Sequence, residues 1–209
     1  MKPFVYALAA AASLTLGSSA HAAAFRFETD PFAGSNAGDP GRQIVGGESF
    51  ITFDVTRDVF SLESTVFGLT GTEVNFFNGP IATLPTDGIN VVVLQTFDND
   101  NDPTTPFAAG TAANLIANQV STPGAGFFIY FNSGLDLPRL VFSTDLSDST
   151  ADLKILFRMT NLAGQAGRDT IPRFTADNFE VTAVPEPATL ALLALGMAGA
   201  VRGARQRRR

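Results

Sequence analysis

The chain has no cysteine and no tryptophan, its one histidine is His21, and only two of its residues are tyrosine. Without cysteine there is no disulfide, no thiolate nucleophile and no thiolate metal ligand, so packing alone must hold the fold. If a leader including His21 is removed, the remainder has no histidine. That excludes Ser-His-Asp and Cys-His catalysis and histidine-ligated zinc. No Gly-x-Ser-x-Gly, Walker loop or dinucleotide fingerprint occurs. Phenylalanine, by contrast, is plentiful at 19 residues, which predicts a Phe-rich interior.

Basic residues are scarce in the middle of the chain. Between residues 23 and 183 eight bases stand against 19 acids, a net of −11, whereas the last 26 residues carry five arginines against Glu186, a net of +4. A body with no basic footprint excludes a polyanion, so no nucleic-acid partner is expected.

Both ends read as addresses. Lys2, an apolar stretch from Phe4 to Leu16 and the small residues Ser18-Ser19-Ala20-His21-Ala22 are the three parts of a secretory signal peptide. Residues 1–22 are expected to form a short apolar helix that signal peptidase removes after Ala22, with Ala20 and Ala22 as the A-x-A site. At the other end, Val184-Pro185-Glu186-Pro187 breaks any structure arriving from the body. An uncharged run of 14 residues, 188–201, then precedes Arg202, Arg205, Arg207, Arg208 and Arg209. That run is shorter than the ~20 residues of a comfortable bilayer span. It crosses only if the arginines snorkel and the membrane thins, and those arginines stay on the cytoplasmic side. The arrangement predicts an inner-membrane intermediate, with the acidic body outside and the basic tip inside.

Pro185-Glu186-Pro187, the short Leu/Ala/Gly run and the terminal arginine cluster together resemble the PEP-CTERM sorting domain of Gram-negative bacteria. The resemblance covers the last 26 residues. It implies a tail recognised and cut by an exosortase, a membrane enzyme whose genes tend to accompany exopolysaccharide production. It further implies that the apolar run is a transient anchor and that the mature protein ends at the cell surface or outside the cell.

Residues 23–183 read as short strands between turns. Phe50-Ile51-Thr52-Phe53-Asp54-Val55 alternates, with Ile51, Phe53 and Val55 on one face. Asn90–Gln95 and Phe127–Phe131 are nearly continuous apolar runs, as in strands buried on both faces. Leu140–Phe142 follows, then Leu153–Met159 with Leu153, Ile155, Phe157 and Met159 inward, then Asn178–Thr182. Thr111–Val120 alone has helical spacing, with Thr111 as its expected N-cap. The expected body is therefore mainly β, a β-sandwich of jelly-roll type with one short helix. Asp177-Asn178-Phe179-Glu180-Val181 resembles the last strand of many PEP-CTERM ectodomains, several of them similar to carbohydrate-binding jelly rolls.

Two acidic groups bear on chemistry. In Asp98-Asn99-Asp100-Asn101-Asp102-Pro103 the alternating Asp98, Asp100 and Asp102 have the spacing that converges oxygen ligands on Ca²⁺. Pro103 and Ala109 stand where an EF-hand needs Gly and Glu, so the candidate is a β-domain calcium loop or a solvated turn. Asp145, Asp148 and Asp152 read as an exposed loop between strands. Two-carboxylate glycoside hydrolysis needs only a pair of acids, but Tyr130 is the sole Tyr of the body for sugar stacking. Three functions remain in view. The first is a non-catalytic, exosortase-sorted surface or matrix protein associated with exopolysaccharide. The others are a calcium-assisted carbohydrate-binding module and a carboxylate-dependent hydrolase.

Overall fold

The computed structural model describes residues 22–183. The expected leader helix and the apolar run at 188–201 lie outside them. Among the described residues no helix is long and apolar enough to cross a membrane.

The body is mainly β. Its strands are β1 (Ala24–Phe27), β2 (Ile44–Val45), β3 (Ser49–Ile51), β4 (Val59–Glu63), β5 (Phe76–Gly79), β6 (Val91–Leu94), β7 (Gly126–Asn132), β8 (Leu137–Ser143), β9 (Leu153–Met159) and β10 (Phe179–Thr182). Two helices, α1 (Ala109–Ala117) and α2 (Gly164–Thr170), interrupt them. A three-stranded sheet has the order β1-β4-β10, and a seven-stranded sheet runs β2-β9-β8-β7-β6-β5 with β3 also pairing β9.

Alternation along the central strands explains the layering. In β6 and β7, Val91, Val93, Phe127, Ile129 and Phe131 point toward the three-stranded sheet. Val92, Leu94, Phe128 and Tyr130 point the other way, toward α1. These strands carry no polar side until Asn132 because both faces are covered. Between the sheets the core is phenylalanine: Phe60 of β4 lies 5.5 Å from Phe157 of β9, and Phe76 of β5 lies 5.8 Å from Phe179 of β10. The opposite face is sealed by Ala109, Ala112, Ala113 and Ile116 of α1, which share one helical stripe.

Several expectations change. A jelly roll is built from antiparallel strands. Among the described residues only β7–β8 and β8–β9 are antiparallel. The pairs β1–β4, β4–β10, β2–β9, β3–β9, β5–β6 and β6–β7 are parallel. The reason is connectivity: β6 reaches β7 through a crossover that carries α1, not through a hairpin. α1 also starts before Thr111, with Ala108 as its N-cap and no side-chain capping bond. Packing of Ala109 and of Phe107, 1% exposed, sets that start in preference to a capping hydroxyl. α2 is a second helix where one was expected.

The sharpest correction concerns β9. Its bounds match the expectation, but its four apolar residues do not share a face. Leu140 pairs with Phe157 while Val141 pairs with Ile155, so Leu156 is an extra residue in a β-bulge. The bulge reverses the alternation. Leu153 and Ile155 face α1, and Phe157 and Met159 face the other sheet. Upstream, Ile51, Phe53 and Val55 are buried together as their alternation predicts. The strand itself stops at Ile51, because Asp54 opens a turn that accepts the N–H groups of Arg57 and Asp58.

Candidate functional site: the three-stranded sheet and its two ends

The three-stranded sheet carries both ends of the described body. β1 begins one residue after Ala23, and β10 ends one residue before Ala183. Parallel register aligns Arg26, Ser61 and Glu180 in one row across β1, β4 and β10, and Glu63 with Thr182 in a row further on. Phe27, Leu62 and Val181 lie between these rows and point into the body, where Leu62 is fully buried. The outer face therefore shows Arg26, Ser61, Glu63, Glu180 and Thr182, with Ala24 and Val59 paired in the row before them.

That outer face forms an open cleft of about 350 Å³. Among the described residues three glutamates line it, Glu28, Glu63 and Glu180, against the single cation Arg26, and Ala183 closes one end. Arg26 and Glu28 meet at 3.7 Å with side chains 67% and 62% exposed, a solvated contact of little energetic weight. No aromatic ring lines the cleft, so it offers no stacking platform for a sugar. Parallel register sets Glu63 and Glu180 diagonally on neighbouring strands.

The start of β1 is tied to the body at Asp58. Ala23 N donates to Asp58 Oδ1 at 2.9 Å, and Val59 N donates to Ala23 O at 2.9 Å. Asp58 is only 4% exposed, and its second oxygen accepts from Asp54 N at 2.8 Å. Asn178 holds this corner in place, donating to Val55 O and Asp58 O, each at 2.9 Å. Sequence reasoning singled out neither Asp58 nor the anchoring role of Asn178. Both depend on contacts more than 30 residues apart, with no local motif to announce them.

Asp98, Asp100 and Asp102 each serve their own backbone. Asp98 Oδ1 accepts from Asp100 N at 3.2 Å, and Asp100 Oδ1 accepts from Asp102 N at 3.0 Å. Asp102 Oδ1 accepts from Thr104 N at 2.9 Å and from Thr104 Oγ1 at 2.7 Å. These are successive Asx turns, and Asn101 supplies the left-handed residue at φ 59° that the bend requires. The Asp100 N–H holds the Asp98 carboxyl below the ordinary range, and the Thr104 hydroxyl and N–H do the same for Asp102. Asp98 and Asp102 line a shallow cavity beside Arg168, whose fixed positive charge works against a cation there. Among the described residues no three acidic, histidine or cysteine side chains are placed to hold a metal ion.

Asp145 and Asp148 accept from the residues two further on, as an exposed loop would have it. Asp152 does more: its two oxygens take the N–H groups of Gly38 and Gln43, each at 2.8 Å, and staple that distant segment to β9. Of the other expected site residues, Ala22 is exposed at the edge of the described body. Ala20, Pro185, Glu186, Pro187, Arg202, Arg205, Arg207, Arg208 and Arg209 lie outside it.

No curated protein and no solved structure matches the chain. A family model does match its C-terminal end, from Ala183, the residue that closes the cleft, to Arg209. That motif implies export to the cell surface or beyond and processing by an exosortase, a membrane enzyme. Residues 183–209 are a PEP-CTERM protein-sorting motif, and the chain is a PEP-CTERM domain-containing protein.

Proposed function

We propose that the body is a non-catalytic surface or matrix domain that works in association with extracellular polysaccharide. It is delivered as a precursor by a cleavable leader and a transient inner-membrane anchor. Its fold is a β-sandwich with a helix over one face. The observation that carries this reading is the junction between domain and motif. β10 is paired through Thr182, and the sorting motif begins at Ala183, with no linker between them. From Thr182 to Pro185 the chain spans at most ~10 Å, so the cutting enzyme works against the rim of the acidic cleft.

The test is mass spectrometry of protein recovered from the surface or medium of an exosortase-bearing host. The expected species begins at Ala23 and lacks everything after the Pro185-Glu186-Pro187 region. Intact Arg207-Arg208-Arg209 in the released protein overturns the sorting route. Co-sedimentation of that processed protein with the host's purified exopolysaccharide tests the association, and free protein at saturating polysaccharide rejects it.

A further inference from the structure

Cleavage after Ala22 leaves Ala23 as the first residue, and the nitrogen of Ala23 already points at a carboxylate. Asp58 Oδ1 accepts that N–H at 2.9 Å from a position 4% exposed. A carboxylate this deeply placed is stable only when hydrogen-bonded and matched by opposite charge. The hydrogen bonds come from two neutral backbone amides, Ala23 N and Asp54 N. The guanidinium of Arg57 stands 3.6 Å away and lies nearer to Asp54, at 3.1 Å. Asn178, itself 3% exposed, donates to the Asp58 carbonyl and so fixes the backbone that carries the carboxylate.

We propose that Asp58 is the docking site for the N-terminal ammonium of the mature protein, and that removal of the leader completes a half-buried ion pair, with the carboxylate buried and Ala23 exposed. This rests on the reading that the leader is cut after Ala22. Hydrolysis of the Ala22–Ala23 bond consumes one water. Its hydroxyl goes to the Ala22 carbonyl carbon and its hydrogen to the Ala23 nitrogen. The proton lost by the new Ala22 carboxylic acid is balanced by the one that makes the amine an ammonium. An amide that donated one hydrogen bond becomes a cation beside the same oxygen. β1, a four-residue strand at the edge of its sheet, is thereby pinned at its first residue. Processing is thus built into the stability of the fold, and a chain cut elsewhere lacks the pair.

The test uses the full chain exported and processed by its host, carrying Lys154→Arg so that the α-amine is the only amine of the mature body. Mass analysis first fixes the N-terminus. Thermal melting is then compared before and after acetylation of that amine, which removes its charge. We expect acetylation to lower the melting temperature by about 3 °C or more, and Asp58→Asn to abolish the difference. Equal melting of free and acetylated protein overturns the ion pair and leaves the leader reading intact. An N-terminus other than Ala23 overturns both. If Asp58→Asn does not fold, the acetylation comparison decides alone.

Discussion

Arg139 of β8 and Arg158 of β9 are direct register partners, and the carboxylate of Glu48 bonds to both guanidinium groups. Like charges set opposite each other on a sheet repel. Glu48, with its side chain 9% exposed, is what makes that pairing tolerable. Glu48→Gln is expected to destabilise the fold by about 2–4 kcal/mol, because it leaves two largely buried cations facing each other. Urea unfolding measures it; a loss smaller than that of an exposed surface substitution contradicts the account.

The same carboxylate gives the fold an acid limit. Burial works to raise the Glu48 pKa, but the bonds from Arg139 and Arg158 prevail and hold it at about 2, below the ordinary 4.5. A depressed carboxylate contributes stability that is complete above its unfolded value and lost as pH falls through its folded one. Stability should therefore decline from about pH 4.5 toward pH 2 in the wild type. Glu48→Gln should flatten that part of the curve, which acid titration followed by circular dichroism reads directly.

Gly167 in α2 has no room for a side chain. A Cβ there would lie 1.7 Å from the carbonyl oxygen of Leu162, a backbone atom that cannot rotate aside. Gly167→Ala should cost at least about 2 kcal/mol despite alanine's better helix propensity. Gly124→Ala, where a Cβ meets nothing within 4 Å, is the matched control.

Phe53 and Phe60 stack with ring centroids 4.3 Å apart and planes 6° from parallel, and both are fully buried. Phe60→Ala should cost about 3–5 kcal/mol. Phe50 is 65% exposed and touches the Arg158 guanidinium at 4.6 Å, so Phe50→Ser should cost no more than about 1 kcal/mol. Chemical denaturation of the two variants side by side checks the contrast.

The aspartate loop holds its shape through Asp98, Asp100 and Asp102 accepting successive backbone N–H groups. Chelator and millimolar Ca²⁺ should therefore give the same melting temperature. Asp102→Ala, which releases two Thr104 donors, should lower stability by about 1 kcal/mol. A calcium-dependent rise in melting, lost in Asp100→Ala, would return the loop to the metal-binding class.

Apolar runs made β6 and β7 legible, because covered strands need continuous hydrophobicity, and β9 was legible from its apolar residues at alternate positions. The bulge at Leu156 was not legible, since an inserted residue leaves composition unchanged while reversing the side-chain phase. β1 and β5, four residues each, and α2, with two glycines among its seven residues, give too little periodicity to register. Parallel pairing escaped for another reason. It depends on where the crossovers run, and the loops that make them carry ordinary turn residues. At the functional ends the contrast is sharper. The sorting tail is a local pattern and can be read from a few residues. Asp58 matters through Ala23 and Asn178, 35 and 120 residues away.

Because β1 and β10 flank β4 in parallel, the chain enters this small sheet at one pole and leaves it at the other, roughly 15 Å apart. Under the proposed reading of an apolar leader and an apolar tail, the precursor is moored at both poles of this sheet, and loss of the leader leaves a single tether at the β10 pole, beside the rim of the cleft.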